Sequence, residues 1–268
     1  MGMASGEGRK AKGERMMSSE VWQRVLREVS PYVHTIQFYF QGEPLLNPHL
    51  IDMIRDAHAQ GIYTIVSTNA QALTREMASA LVESGLNRII ISMDGLTEAS
   101  YSAYRVGGSL EQTKAALRYL REAKKQSPII ELQCLRLRTN EHEWAEMRRQ
   151  YRQLGADRLT LKTAQLYDYE QGHPLMPSDL RYARYEQTAD GTYRLRRRRR
   201  IGCLRLWSGV VITTTGEVLP CCYDKSGDYA YGNIMRESLR SLFHNEKAQR
   251  FMRQALRYEY PICQNCWQ

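Results

Sequence analysis

Three separate stretches of this chain run as an amphipathic helix into a glycine and then directly into a β-branched or leucine-rich strand, and this recurrence limits its fold more than any other feature. In the first, Asn47-Pro48 supplies a cap and a proline at N1, and Leu50, Ile51, Ile54 and Ala57 mark the buried side. Gly61 then stands in the C′ position ahead of a strand over 63–66. The second helix starts at Thr74 and reaches Gly85 before the strand Arg88–Ser92. The third follows a capping-box pattern in Asn140-Glu141-His142-Glu143 and reaches Gly155 before a strand over 158–161. Two more strands fit the series, 35–40 and 130–135, and a helix capped by Ser109, with Gln112 in the box position, lies between the strands at 88 and 130. An earlier helix, capped by Ser18 or Ser19, carries Val21, Trp22, Val25, Leu26 and Val29 at a period of 3.6. Repeated βα units require a parallel sheet or barrel.

The polar signatures of the chain all follow strand C-termini: Gln41-Gly42-Glu43-Pro44, Ser67-Thr68-Asn69, Asp94-Gly95 and Lys162-Thr163. In βα folds that edge is where ligands bind, because loops and helix N-termini converge there. Lys162, Gln165, Asp94 and Asp168 are the polar groups expected near such a pocket.

With 268 residues the chain has room for one large domain and one small one. We expect a partial barrel over 1–165, with residues 1–17 as a mobile arm, then a linker over 166–200 and a cysteine-rich domain over 201–268. No apolar stretch is long enough for a membrane span, and the charged N-terminus lacks the apolar core of a secretory signal. The expected location is therefore the cytoplasm, where thiols stay reduced and cysteines serve metals rather than disulfides. The net charge of +9 is concentrated in Arg194 and Arg196 to Arg200. That run reads as a solvated linker, and no nucleic-acid-binding pattern accompanies it.

Five of the six cysteines fall in the last quarter of the sequence. A hairpin over 210–219 brings Cys203 and Cys221 towards each other, and Cys263-Gln264-Asn265-Cys266 forms a Cys-x2-Cys pair ahead of which a helix runs from 239 to 256. Four thiolates of this kind hold either zinc or an iron–sulfur cluster, and spacing leaves both open. Cys222 alternates to the opposite side of the strand from Cys221 and reads as a buried apolar thiol, as does Cys134 in its strand.

Taken in order, these motifs resemble the radical S-adenosylmethionine (radical SAM) superfamily, in particular members with a C-terminal SPASM or twitch domain. Gln41-Gly42-Glu43-Pro44 is similar to the family's Gly-Gly-Glu-Pro motif, and Ser67-Thr68-Asn69-Ala70 to its Ser-Thr-Asn-Gly turn. Ser92-Met93-Asp94-Gly95 followed by Tyr104-Arg105-Val106-Gly107 matches as well. So do Cys203, Leu206-Trp207, Gly216-x4-Cys221-Cys222-Tyr223-Asp224, Gly232-Asn233-Ile234 and Cys263-x2-Cys266. The resemblance implies an α/β fold, a partial TIM-like (β/α) barrel here lacking its first strand, with a small C-terminal hairpin and helix domain. It implies S-adenosylmethionine as cofactor, with Gly42, Glu43, Pro44, Thr68, Asn69, Ser92, Asp94 and Arg105 as cofactor-binding residues. Within that set, backbone groups at Gly42-Glu43 receive the methionyl amine, Ser92 and Asp94 bond the ribose or orient substrate, and Arg105 pairs with the methionyl carboxylate. It also implies an auxiliary 4Fe-4S cluster on Cys203, Cys221, Cys263 and Cys266, a peptide or protein substrate, and a reductant such as flavodoxin or ferredoxin.

The family's Cys-x3-Cys-x2-Cys motif, which holds its catalytic 4Fe-4S cluster, is not present: no cysteine precedes Cys134. The expectation is that Met1 is an internal methionine of a longer reading frame that encodes those three cysteines. The competing reading is a non-catalytic iron–sulfur or zinc-binding interaction module descended from such an enzyme.

Overall fold

A computed structural model describes residues 16–196 and 203–266. The N-terminal arm, apart from Met16 and Met17, and Arg197 to Arg200 of the arginine run lie outside the described residues. The chain divides into two compact units: one is His34–Arg194, and the other joins the described residues up to Val33 with those from Leu195 on.

The first unit is built on five strands, β1 (Thr35–Phe38), β2 (Tyr63–Thr68), β3 (Arg88–Ser92), β4 (Ile129–Arg136) and β5 (Arg158–Thr163), hydrogen-bonded in that order. Every neighbouring pair is parallel. Sequential order with parallel pairing requires each connection to cross over, and the helices make those crossings. Helices α2 (Leu50–Ala59), α3 (Arg75–Glu83), α4 (Glu98–Ser102), α5 (Leu110–Ala123) and α6 (Trp144–Gln150) occupy the connections, whereas α1 (Ser19–Val29) precedes the sheet and belongs to the second unit. The middle strand is apolar on both faces: Ile89, Ile90 and Ile91 are all buried, as a covered parallel sheet demands. The core joins Val66, Ile89, Ile91, Ile130 and Leu132 of the strands to Ile54, Leu81 and Leu117 of the helices.

Local chemistry moved several expected helix ends. Asn47 does not cap α2; its side chain accepts the His49 N–H at 2.9 Å, and the helix starts at Leu50 after a 3-10 turn over Pro44–Leu46. Thr74 and Ser109 cap α3 and α5 as expected, but Gln112 donates to the Leu73 carbonyl at 3.3 Å instead of completing a capping box. The box expected at Asn140 to Glu143 is a 3-10 turn over Arg138–Glu143, because both buried side chains are committed elsewhere, as described below. Within the stretch read as linker, strands β6 (Tyr185–Gln187) and β7 (Tyr193–Leu195) pair, and Tyr185 stacks on Tyr169 at 4.2 Å between ring centroids.

The second unit carries α7 (Arg205–Ser208), β8 (Val211–Ile212), β9 (Glu217–Leu219) and β10 (Gly232–Asn233), with strand order β10-β9-β8, all antiparallel. The expected single last helix is two, α8 (Leu239–His244) and α9 (Glu246–Ala255), followed by α10 (Pro261–Gln264). Asn245 separates α8 from α9: its backbone is extended, its side chain accepts the Ala248 N–H, and its amide donates to the Tyr231 carbonyl at 2.8 Å. Helix α1 is fixed within this unit by Arg24 Nε donating to the Ile234 carbonyl at 3.0 Å and by Glu28 accepting the Leu239 N–H at 2.8 Å. No helix of the described residues is long and apolar enough to cross a membrane.

Gly85 shows how tightly the helix-to-strand joints are made. Its φ is +82°, and a Cβ placed there would lie 2.5 Å from carbons of the His58 ring, whereas Gly61 at φ +71° faces open space. Gly61→Ala is expected to cost only the left-handed strain, about 1–2 kcal/mol. Gly85→Ala is expected to cost about 1–2 kcal/mol more, since an overpacked contact adds to that strain. Urea unfolding of the two variants side by side measures the difference.

Candidate functional site

The C-terminal ends of β1, β2 and β3 carry polar side chains that bond mostly to one another. After β1, Gly42 has φ +86° and Glu43 caps the Pro44–Leu46 turn by accepting the Leu45 N–H at 3.1 Å. The same carboxylate accepts the Thr68 hydroxyl at 2.6 Å and the Asn69 N–H at 2.9 Å, so one side chain joins the ends of β1 and β2. Thr68 Oγ1 in turn accepts the Ala70 N–H at 2.8 Å, which holds Ala70 at φ +62°. Glu43 and Thr68 therefore shape the turn, and Thr68 is buried. A Cβ added at Gly42 meets nothing within 4 Å, so its backbone borders open space.

After β3 the chain turns Asp94 inward, with its side chain wholly buried. Its Oδ2 accepts Arg105 Nε at 2.6 Å and its Oδ1 accepts the Leu135 N–H at 2.6 Å. Burial pushes the Asp94 carboxyl up, against the pull of the Arg105 guanidinium and the Leu135 N–H. Burial also works against the Arg105 charge, but Asp94 outweighs it and the guanidinium holds its proton more firmly than usual. Each Asp94 oxygen thus accepts one bond within the fold, and through Oδ2 the carboxylate orients Arg105. Arg105 bonds through Nε, and its terminal amino groups make no hydrogen bond among the described residues. Ser92 is buried at the end of β3.

Arg105 and Asn69 line one hollow of about 80 Å³ together with Gln71, Tyr101 and Gly107. Gln71 was not singled out in the sequence, yet its amide donates to Asn69 O, Tyr101 Oη, Ser109 O and Thr113 Oγ1 and accepts the Ser109 N–H. Asn140, read as a cap, is wholly buried and donates to the carbonyls of Asp94 and Leu135, both at 2.9 Å. Glu143, also read as part of that cap, accepts the Leu96 N–H at 2.8 Å and the hydroxyls of Thr97 and Ser100. Nothing in their spacing marks these three, because each acts across the fold. Lys162 and Asp168 are exposed and Gln165 half-buried, and none of them lines the hollow.

In the second unit Cys221 follows β9, Cys203 precedes α7, and Cys263 and Cys266 flank the end of α10. All four are half-buried, and Cys263 interacts electrostatically with each of the other three. Burial pushes the Cys221 thiol up to about 11, and burial with the neighbouring thiols pushes Cys263 up to about 12. An aromatic cluster neighbours them: Tyr260 stacks on Phe251 at 4.6 Å, Tyr229 packs against both, and Tyr231 meets Phe251 edge-on. Tyr229 and Tyr260 lie near Cys263, and Tyr231 lies near Cys221 and Cys203. Four thiols that neighbour one another make a soft, all-sulfur donor set, which suits an iron–sulfur cluster or zinc. Cys222 is not the buried apolar thiol expected; it is half-exposed and accepts Arg205 Nη1 at 3.2 Å. Cys134 is buried in β4 as expected, and burial pushes its thiol well up.

Residues 4–161 match the sequence profile of the Radical SAM superfamily, and residues 203–267 that of SPASM, an iron–sulfur cluster-binding domain. Over 93% of this chain and 79% of the relative, the sequence is 24% identical to the tungsten-containing aldehyde ferredoxin oxidoreductase cofactor-modifying protein of Pyrococcus furiosus. It is 31% identical to PqqA peptide cyclase of Rhodopseudomonas palustris over 59% of this chain, and spans only 41% of that relative. The solved structure of anSMEcpe with bound AdoMet superposes with a TM-score of 0.71 at 15% identity, covering 92% of this chain and 74% of that one. SuiB of Streptococcus suis gives 0.64 at 14% identity, covering 88% and 61%. At these identities the likeness establishes the fold.

Asp94→Ala is expected to destabilise the chain by about 3–5 kcal/mol in urea unfolding, because it leaves the Arg105 charge half-buried without its partner. The raised cysteine values favour the folded metal-free unit at neutral pH, and that contribution is lost as pH climbs through about 11 to 12. Both thiols are protonated at neutral pH, so metal loading must release protons. Zinc titrated into metal-free protein is expected to bind about tenfold or more weakly for each pH unit lowered. Competition with a chelator measures this; pH-independent loading contradicts it.

Proposed function

The chain belongs to the radical SAM superfamily and ends in a SPASM domain, and from that premise we propose that it is a radical SAM enzyme that modifies a peptide or protein. Family resemblance makes it an enzyme, and iron–sulfur clusters and S-adenosylmethionine are the cofactors that this membership implies. The observation that carries the reading is the buried Asp94–Arg105 pair beside Asn69 at the C-terminal edge of the sheet. It leaves the terminal amino groups of Arg105 in the hollow, ready for a carboxylate of the kind the methionyl group carries. Gly42 presents backbone to open space for the methionyl amine, and Asn69 lines the same hollow. Glu43, Thr68 and Asp94 hold these donors in place, Pro44 starts the turn that carries Glu43, and Ser92 closes β3 behind them.

S-adenosylmethionine, if bound and given one electron by an external reductant, would release methionine and supply a carbon-centred radical able to take a hydrogen atom from a substrate. No residue of the barrel fits a ligand of the catalytic cluster: the one cysteine ahead of Cys203 is Cys134, buried in β4, so no step is derived through that cluster. The C-terminal donor set does fit an auxiliary 4Fe-4S cluster, with Cys203, Cys221, Cys263 and Cys266 as its ligands, and the SPASM match favours this over zinc. The neighbouring rings and the partial burial of the thiols would limit water around such a group. A peptide substrate is supported by the likeness to PqqA peptide cyclase, and the electron donor we propose is a flavodoxin or ferredoxin. A cytoplasmic setting suits reduced thiols.

Anaerobic reconstitution of the chain is expected to give a brown protein with about four irons. Iron should fall to background in Cys221→Ser and Cys263→Ser. In equilibrium dialysis Arg105→Ala is expected to weaken S-adenosylmethionine binding about tenfold or more with iron content unchanged. A colourless zinc protein overturns the cluster assignment, and an unaltered cofactor affinity in Arg105→Ala overturns the pocket assignment.

A further inference from the structure

A second cavity, of about 300 Å³, shares no lining residue with the strand-end hollow and is lined by Arg136, Arg148, Tyr151, Leu159 and Leu161. The parallel register pairs Leu132 with Leu159 and Cys134 with Leu161, so Arg136 shares a sheet face with Cys134, Leu159 and Leu161. That is the helix-covered face, because Leu132, Cys134 and Met147 belong to the core and Tyr151 and Leu161 pack on it.

Arg136 is held there without a carboxylate. Its guanidinium lies 4.6 Å from the Tyr182 ring centroid and 5.6 Å from that of Trp144, and those two rings meet edge-to-face at 5.1 Å. Its Nε is buried with no hydrogen-bond partner among the described residues. Arg148 reaches the same cavity from α6 and forms no ion pair among the described residues, in contrast to its neighbour Arg149, which pairs with Glu146. The acids on this segment are spent elsewhere. Glu141 accepts Ser178 at 2.7 Å, Glu143 accepts Leu96, Thr97 and Ser100, and Glu146 accepts Arg149 and Gln150. Burial and the Arg148 charge together hold Arg136 below its ordinary value. Two guanidinium groups that converge on a cavity without a counter-charge repel each other, and a shared anion relieves that repulsion. Guanidinium geometry suits planar or tetrahedral oxyanions, and the volume lies at the lower end of small-ligand sites.

We propose that this cavity is an oxyanion site, in which Arg136 and Arg148 together bind a carboxylate or phosphate group of a ligand arriving at the outer face of the sheet. The leucine floor and the Tyr151 ring would accept an apolar stem attached to that anion. The site is separate from the strand-end hollow and stands whether or not the chain binds S-adenosylmethionine.

The test is a calorimetric titration of the full chain with two probes, inorganic phosphate and a short glutamate-containing peptide, the latter compared with its glutamine counterpart. Saturable binding is expected for one or both oxyanions and not for the glutamine peptide. Phosphate alone binding identifies a phosphoryl ligand, and the glutamate peptide alone binding identifies an acidic peptide. Arg148→Gln, on an exposed helix position, should weaken that binding about tenfold, and Arg148→Lys, which keeps charge but loses the fork, should weaken it less. Arg149→Gln should leave it unchanged. Absence of saturable binding for both probes, or equal losses in Arg148→Gln and Arg149→Gln, overturns the proposal.

Discussion

At the centre of the first unit a carboxylate is buried where the chain leaves the middle strand of the sheet. Asp94 is wholly shielded from water, a position that is tolerable for a charge only if every lone pair finds a donor. The donors come from three directions: Arg105 from the loop after α4, the Leu135 N–H from β4, and Asn140, which reaches the Asp94 backbone carbonyl. Satisfying that one residue therefore fixes the spacing between the ends of β3 and β4 and the path of two loops. The orientation of Arg105 follows from it, since a guanidinium bonded through Nε is restrained in direction.

Glu43 solves a similar problem at the neighbouring strands by a different means. It gathers an N–H from its own turn, a hydroxyl from β2 and the N–H of Asn69, so that this residue of the motif is also a brace. Braces of this kind are a general requirement of sites assembled on loops, since a loop has no ladder of its own to hold it.

Much of the scaffold was legible in the sequence because its signals are local. The helix faces, the caps Thr74 and Ser109, and the glycines at 85 and 155 depend on residues within a few positions, and the five-stranded parallel order follows from them. The polar motifs did lie at one sheet edge, as strand–loop alternation requires. What sequence reading did not reveal was partners: Asp94 and Thr68 sit where expected, and each is also bonded within the protein to a residue 41 or 25 positions away. Gln71, Asn140 and Glu143 stayed hidden for the same reason. A cap and a long-range brace use the same residue types, and only the fold tells them apart. In the second unit the hairpin was readable, whereas the break at Asn245 was not, since one asparagine inside an otherwise helical pattern is an ordinary event.

The aromatic clamp on Arg136 has an optical consequence. The four tryptophans of the chain are Trp22, Trp144, Trp207 and Trp267, so Trp144 is the sole indole between His34 and Arg194. It is 7% exposed, its Nε1 donates to Asn140 Oδ1 at 2.7 Å, and its ring lies beside Arg136 and Tyr182. One chromophore is thus bonded on one side to the network that holds Asp94 and stacked on the other against a guanidinium. With the other three indoles replaced by phenylalanine, its emission wavelength and quenching become a built-in gauge of that end of the sheet, readable without any label.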